Sequence, residues 1–367
     1  MFPREVVPAG PVLLREPTEA DTDAIVRGCS DPEIARFIPN VPVPYTRDDA
    51  ISHLKAAEQD WQRGGASFAV ADPGTGRWLG NIGLKPPNPR GGVEIGYLIA
   101  PWARGRGVAA AATAALSAWA FAHGVHRVEL LAEVENLASQ RVAMAAGFQR
   151  EGVQRHGTPA RDGAYRDLVS FARLSTDSGE RVRPFLPPLP GGSLSDGVVR
   201  LTPLEAGDAA DYHTLQSLPD VVRYSVPPEA PTAQESEQFC REAGMLWLTG
   251  ARAEMAIRGA DDGAFAGHIQ LSNIVPPLRQ AMVGYSMLPR ARGRGLATRA
   301  VNLVTEWAFG HTSLARVVAG TSPANTASHG VLERAGFTRD ALLHGALPGP
   351  GDTRLDDLQW YRLRPSG

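Results

Sequence analysis

At 367 residues, with 43% hydrophobic and 21% charged side chains, the chain has the length for two domains of common size, each with its own core, and lacks the composition of a disordered protein. The formal net charge is −2 and arginine carries nearly all the positive charge, Lys55 and Lys85 being the only lysines, so a nucleic-acid binder built on a broad basic surface is not indicated. Neither the opening Met1-Phe-Pro-Arg-Glu-Val-Val-Pro nor any later run is apolar enough for a signal peptide or a membrane span, and a cytoplasmic location is expected. Cys29 and Cys240 lie in different halves without metal-ligand spacing and read as free, buried thiols; no metal site is expected.

In chain order, Val12-Leu-Leu-Arg-Glu-Pro17 reads as a first strand, and Thr18-Glu-Ala-Asp-Thr-Asp-Ala-Ile as a helix start with acids in its first turn. Asp31-Pro-Glu-Ile-Ala-Arg-Phe37 and a helix containing Leu54 and Trp61 follow, placed to cover an acceptor site. Ser67-Phe-Ala-Val-Ala71 and Trp78-Leu-Gly-Asn-Ile-Gly-Leu84 read as strands joined by an Asp72-Pro-Gly74 turn. Then comes Glu94-Ile-Gly-Tyr-Leu-Ile-Ala-Pro-Trp-Ala-Arg104-Gly-Arg-Gly107-Val-Ala109: an apolar strand, a proline that stops it, a tight Arg-Gly-Arg-Gly loop and an alanine-rich helix. Glycines let main-chain N–H groups approach a ligand, and the helix that begins behind them adds the positive end of its dipole, so the loop is a candidate cradle for a diphosphate. Ala112, Ala115, Leu116, Trp119 and Ala120 recur at helical spacing and form a core stripe. Val128-Glu-Leu-Leu-Ala-Glu-Val134 reads as the next strand, followed by a short helix closed by Ala146-Gly-Phe148, where glycine suits a helix C-cap.

This order then repeats. Arg104 and Arg292, Gly107 and Gly295, and Trp119 and Trp307 are each 188 apart, while Asn136 and Asn325, and Phe148 and Phe337, are 189 apart, as one insertion near Thr312 explains. A period this long means two copies of a domain. The second copy of the central stretch is Met282-Val-Gly-Tyr-Ser-Met-Leu-Pro-Arg-Ala-Arg292-Gly-Arg-Gly295-Leu-Ala297. Between the copies, Pro184, Pro187, Pro188, Pro190 and Gly191-Gly-Ser193 exclude a helix or central strand. The organisation expected is therefore residues 1–174, a linker over 175–196, and residues 197–367.

Together, the strand, proline, Arg-Gly-Arg-Gly-Val-Ala loop, helix, strand, Asn136-x-x-Ser139 and Ala-Gly-Phe148 resemble the GNAT acyltransferases, and most of all the RimJ and RimL group that acetylates protein N-termini. Arg104, Gly107 and Ala109, and again Arg292, Gly295 and Ala297, fall on that superfamily's Arg/Gln-x-x-Gly-x-Gly/Ala signature. The resemblance includes the ends: Glu151-Gly152, Ala164-Tyr-Arg-Asp167-Leu and Phe171-Ala-Arg-Leu174 resemble the closing hairpin, echoed more loosely by Asp340, Asp357-Leu358 and Tyr361.

The resemblance implies an α/β (α+β) fold of two tandem domains, each with a mixed, mostly antiparallel twisted sheet splayed at its centre and flanked by helices. It implies acetyl-CoA in the splay as acyl donor. The main chain of Tyr97, Leu98 and Ile99 would pair with pantetheine, and the N–H groups of Gly105, Arg106, Gly107, Val108, Ala109 and Ala110 would hold the diphosphate; Tyr285, Ser286 and Met287, with Gly293, Arg294, Gly295, Leu296, Ala297 and Thr298, form the second set. Of Arg104 and Arg106, and of Arg292 and Arg294, one each is read as a phosphate contact and the other as a solvated charge. Asn136 and Asn325 would hold the cofactor, and Ser139 and Ser328 are candidate acids for the leaving thiolate; a helix cap and a local backbone bond are the alternatives for each pair.

The chemistry implied is attack of a neutral amine on a thioester, aided by a base and an oxyanion donor such as the N–H near Leu98. Glu94 is the candidate base in the first half; its counterpart is Met282, which cannot serve. His156, with His344 as its repeat partner, is the other candidate, the family's closing-segment glutamate falling on Thr158. The first half is thus expected to catalyse and the second to be weak or supporting. The acceptor expected is a primary amine, preferably the α-amine of a protein or peptide; a small-molecule amine and a non-catalytic acyl-CoA sensor are the alternatives. A monomer or homodimer is expected, with no nucleic-acid or membrane partner.

Overall fold

The computed structural model describes residues 2–365 and divides the chain into two compact units, residues 1–183 and 184–367. The first contains strands β1 (Val7–Ala9), β2 (Val12–Arg15), β3 (Ala66–Ala71), β4 (Trp78–Leu84), β5 (Val93–Ile99), β6 (Arg127–Glu133), β7 (Gln149–Pro159) and β8 (Tyr165–Leu174), with helices α1 (Thr22–Cys29), α2 (Pro32–Phe37), α3 (Arg47–Gln62), α4 (Val108–Ala122) and α5 (Leu137–Ala145). The second contains β9 (Leu194–Ser195), β10 (Val199–Pro203), β11 (Ala253–Gly259), β12 (Phe265–Val275), β13 (Gln280–Met287), β14 (Arg316–Thr321), β15 (Thr338–Pro348) and β16 (Arg354–Leu363), with α6 (Ala209–Gln216), α7 (Pro219–Val222), α8 (Ala233–Leu248), α9 (Leu296–His311) and α10 (Thr326–Arg334).

Among the described residues each unit forms one eight-stranded sheet, in the order β1-β2-β3-β4-β5-β6-β8-β7 and, taken from its other edge, β15-β16-β14-β13-β12-β11-β10-β9. All neighbours are antiparallel except β5 with β6 and β13 with β14. These are the two mixed, mostly antiparallel sheets that the family resemblance implies.

Local sequence explains the main elements. Thr46 and Thr232 each cap the long helix that follows, accepting from the N–H of Asp49 and Glu235, whose carboxylates bond back to the threonine N–H. In α4 the stripe of Ala112, Leu116, Trp119 and Ala120 is buried, as are Ala300, Val304, Trp307 and Ala308 in α9. At the β3–β4 hairpin, the Asp72 carboxylate accepts from Gly74 and Thr75 N–H at 3.1 and 2.8 Å, fixing the turn.

The proline-rich connection is less free than its composition implies. Val182 N–H bonds the Met144 carbonyl at 2.8 Å, in the first unit. Leu186 and Leu189 are buried in the second unit's core, and the Trp247 indole donates to the Pro187 carbonyl at 3.1 Å. Leucines three apart share one side of an extended proline-rich strand, which has three residues per turn. Leu194–Ser195 then pairs at the sheet edge with β10.

Candidate active site

Each sheet divides where the parallel pair meets. β5 and β6 pair only at Val93↔Val128 and Glu94↔Glu129, and β13 and β14 only at Gln280↔Arg316, Ala281↔Val317 and Met282↔Val318. Beyond Glu94 and Met282 the inner strand keeps its antiparallel partner on one side alone: Tyr97, Leu98 and Ile99 remain paired with Ile82, Asn81 and Gly80, and Tyr285, Ser286 and Met287 with Ile269, His268 and Gly267. Their other edge is a row of main-chain donors and acceptors facing the split. Glycine under this row is required by close approach, since a Cβ at Gly80 would lie 2.3 Å from the Leu98 carbonyl oxygen and one at Gly267 2.4 Å from that of Ser286.

The split leads to the Arg-Gly-Arg-Gly loop. Gly107 and Gly295 are the residues before α4 and α9, with φ of 73° and 74°, a left-handed conformation that glycine adopts without strain. A Cβ at Gly105, Gly107, Gly293 or Gly295 would meet nothing within 4 Å, so the space in front of the loop is open. The first intrahelical donors are Ala111 and Arg299, bonding back to Gly107 and Gly295, which leaves the preceding N–H groups of each first turn without an intrahelical acceptor. In the second unit an open cleft of about 480 Å³ continues past Gly295 and Thr298 along Arg299, Asn302 and Arg334.

The four loop arginines divide the same way in both units. Arg104 Nε donates to the Ile99 carbonyl at 3.1 Å and its guanidinium pairs with Asp31, while Arg292 Nε donates to the Met287 carbonyl at 2.9 Å and pairs with Asp220. They fasten the strand end to the loop and tie the loop to the start of α2 and to α7. Arg106 and Arg294 are exposed, with no ion pair among the described residues.

Across the split, the Tyr97 hydroxyl meets the Ser139 hydroxyl at 2.8 Å, and Ser139 N–H donates to the Asn136 side-chain oxygen at 3.0 Å. In the second unit the Tyr285 hydroxyl donates to the Ser328 carbonyl at 3.3 Å, and Ser328 N–H to Asn325 at 3.2 Å. Both asparagines therefore cap α5 and α10, which commits their oxygens and leaves their amide NH2 groups. Burial pushes the Tyr97 phenol well above its ordinary value, against the opposing Ser139 bond, and the Tyr285 phenol up to about 12, so both are neutral near pH 7.

The family model for the "Acetyltransferase (GNAT) domain" matches residues 12–149 and again residues 199–338. The chain belongs to the GNAT acetyltransferase family. It carries two tandem copies of the domain. It is 29% identical over 169 residues to the Bacillus subtilis protein named "Uncharacterized N-acetyltransferase YoaA", a match covering 43% of this chain and 93% of that one. A second B. subtilis protein, "Probable N-acetyltransferase YjcK", is 37% identical over 84 residues, 23% of this chain and 46% of its own length. Similar solved structures include Mycobacterium smegmatis RimJ in complex with CoA-disulfide, at 24% identity and TM-score 0.44 over 50% of this chain and 90% of that one. They also include the ribosomal-protein-S5-alanine acetyltransferase from Vibrio fischeri, at 21% and 0.43 over 47% and 97%.

For a GNAT domain, the free strand edge, the open glycine loop and the helix N-terminus fit an acyl-CoA: a peptide-like arm can pair with a strand edge, and a diphosphate suits main-chain donors. Glu94 sits on the last rung before the split, three residues from Tyr97 and so on the opposite face of β5, the face of α1 and α3 on which Leu98 packs. Lys85 Nζ lies 2.6 Å from its carboxylate.

The sequence pairing of the closing hairpins shifts by one residue in the structure. His156 and Gly345 share the bulge position, with φ of 51° and 58°, and their N–H groups bond Asp167 and Asp356 at 2.8 Å. Gly345, not His344, is therefore the counterpart of His156, and Asp357 matches Leu168. His156 is exposed and stacks on Tyr165 at 5.9 Å.

Two groups were not singled out from the sequence. Glu133, half-buried at the end of β6, lies on the same face as Glu94, and burial raises its carboxyl above the usual range despite Arg166 and Arg36 nearby. Alternation along β6 carried that signal, since Glu129 and Glu133 share the face of Glu94. In the second unit, Glu254 is fully buried between Arg252 Nε at 2.5 Å and His268 Nε2 at 2.7 Å. The first unit has Ser67 and Asn81 where these acidic and imidazole groups stand.

Proposed function

We propose that the chain is an N-acetyltransferase that moves an acetyl group from acetyl-CoA to a primary amine by direct attack within a ternary complex, and that its preferred acceptor is the α-amine of a protein or peptide. The observation that carries this is the free edge of β5 beyond Glu94, running into a loop whose helix-start N–H groups face open space. Tyr97, Leu98 and Ile99 hold the pantetheine arm through the main chain and Gly105 to Ala110 hold the diphosphate, with Arg106 beside it; Tyr285 to Met287 and Gly293 to Thr298 do the same in the second unit. The Asn136 and Asn325 amides offer further donors. The bound donor supplies an activated acyl carbonyl. Near neutral pH an α-amine, which ordinarily titrates at about 8, is deprotonated more readily than a lysine at about 10.4. Main-chain N–H at Leu98 stabilises the developing oxyanion, Ser139, held by Tyr97, returns a proton to the leaving thiolate, and Glu94 at the vertex draws in the acceptor's ammonium group.

The test is incubation of the purified protein with radiolabelled acetyl-CoA and an extract of the cells that make it, followed by separation of large from small products. Label at a polypeptide α-amine is the expected result. Label in a small molecule would move the acceptor to that class, and firm acetyl-CoA binding with no transfer would identify a sensor.

A further inference from the structure

One rung of the sheet carries a carboxylate in both units, but from opposite strands. In the first unit Glu133 on β6 pairs with Leu168 on β8. In the second, the final paired rung of β14 and β16 is Thr321↔Leu358, and one step further stand Ser322 and Asp357, the counterparts of Glu133 and Leu168. A third position changes with them. Leu131, two residues before Glu133, becomes Gly320, and a Cβ at Gly320 would lie 2.7 Å from both Asp357 oxygens, so the glycine makes the room that the carboxylate occupies.

The rung lies beside the split. It follows Glu129 and Val318, the last residues of β6 and β14 to pair across it, by an even number of residues, and therefore faces the same side as Glu94 and Met282. Asp357 is 5% exposed; its Oδ2 accepts from Gln359 Nε2 and the Thr321 main-chain N–H acts on the same carboxyl, while the buried Oδ1 has no bond of good geometry among the described residues. A buried carboxylate oxygen left without a donor is costly, and an N–H from outside the protein removes that cost. Burial raises the carboxyls of both Glu133 and Asp357, which makes each a better proton acceptor near neutral pH.

We propose that this rung, through Glu133 in the first unit and Asp357 in the second, receives the ammonium group of the acceptor and takes its proton, so that both units transfer acetyl groups. It rests on reading each unit as an amine N-acetyltransferase. One N–H proton passes to the carboxylate and on to solvent; the freed nitrogen forms the C–N bond as the C–S bond breaks, and its second surplus proton goes to the thiolate. Glu94, present only in the first unit, is then auxiliary, and the second unit does not depend on the Met282 position.

The experiment measures label transfer from radiolabelled acetyl-CoA to the cell extract for the full chain, for Glu133→Gln, for Asp357→Asn, and for the double variant. Each single substitution should remove one unit's share of the initial rate and the double should lower it at least fiftyfold. Calorimetry should still find two equivalents of acetyl-CoA, and the melting temperature should not fall in Asp357→Asn. Placing the carboxylate on the other strand, with Ser322→Glu and Asp357→Leu together, should restore the second unit's share, which a purely structural aspartate would not allow. A double variant within threefold of the parent rate overturns this proposal alone. A parent chain that binds acetyl-CoA and labels nothing overturns the transfer reading and this proposal with it.

Discussion

Gly107→Glu and Gly295→Glu test the two cradles, and their effects separate into strain and charge. Both glycines have a left-handed φ near 74°, and a Cβ there meets nothing within 4 Å, so a side chain costs backbone strain without a clash. That strain is about 1–2 kcal/mol for an L-residue. For a unit of this size each kcal/mol lowers the melting temperature by about 2–4 °C, so the affected unit should melt about 2–8 °C earlier. Charge acts on binding instead. One carboxylate about 6 Å from one phosphate charge at an effective dielectric of about 20 costs about 3 kcal/mol. Affinity for acetyl-CoA at that site should therefore fall more than a hundredfold, at about 1.4 kcal/mol per tenfold. Calorimetric titration should show two equivalents in the parent chain and one in either variant. Gly107→Ala is the control, with the same loss in melting temperature and a much smaller loss in affinity. Two equivalents with Kd within threefold of the parent in Gly107→Glu would refute the cradle, and equal affinity losses in the alanine and glutamate variants would refute its electrostatic basis.

Tyr97→Phe removes the bond to Ser139, worth about 1 kcal/mol net; it should lower first-unit transfer about fivefold with acetyl-CoA affinity unchanged, whereas Tyr285→Phe, whose longer bond goes to a main-chain carbonyl, should do less in single-turnover assays. Glu94→Gln should lower first-unit transfer less than Glu133→Gln, and Lys85→Met should change stability by no more than about 1 kcal/mol, because its partner pair is exposed. Asp21, 5% exposed, is raised by burial but more strongly lowered by the forked Arg15 bonds, both 2.7 Å, and by Thr18. Its folded value thus lies below the unfolded one, so its contribution is complete above about pH 4 and is lost as pH falls through the folded value; thermal melts should be flat from pH 7 to 5 and decline below, less steeply in Asp21→Asn. Burial pushes the Cys29 thiol up to about 11 and the Cys240 thiol up to about 12, so neither should react with a disulfide reagent at pH 8 until the chain is denatured.

The tandem fold was legible because its signals lie along the chain: the 188-residue period, the proline that ends β5, and the glycines with φ > 0 ahead of α4 and α9. Both free cysteines are buried, as read. Elements held only by tertiary contacts were not legible. The edge strands Val7–Ala9 and Leu194–Ser195 are three and two residues long and take their form from the neighbouring strand. Leu186 and Leu189 looked like linker because prolines surround them, yet they fill the second core. The Arg-Gly-Arg-Gly motif shows two arginines alike; only the fold turns Arg104 towards Ile99 and leaves Arg106 exposed.

The difference between what was read and what was missed follows from which atoms recognise which ligand. The proposed main-chain recognition of the donor depends on strand pairing and on two glycines, so it would survive the change of Leu98 to Ser286 and is visible as a spaced motif in both copies. In the proposed mechanism, recognition of the acceptor falls to side chains on the opposite face, where a carboxylate moves from β6 to β16 and still occupies the same rung. Sequence comparison position by position records that move as two unrelated changes, a carboxylate lost from Glu133 to Ser322 and one gained from Leu168 to Asp357, because ladder neighbours 35 residues apart in the chain have no shared spacing. Only the rung pairing, with Gly320 vacated beneath the carboxylate, joins them into one retained charge. Divergence between the two units is therefore expected to alter which amine each accepts before it alters the acyl donor.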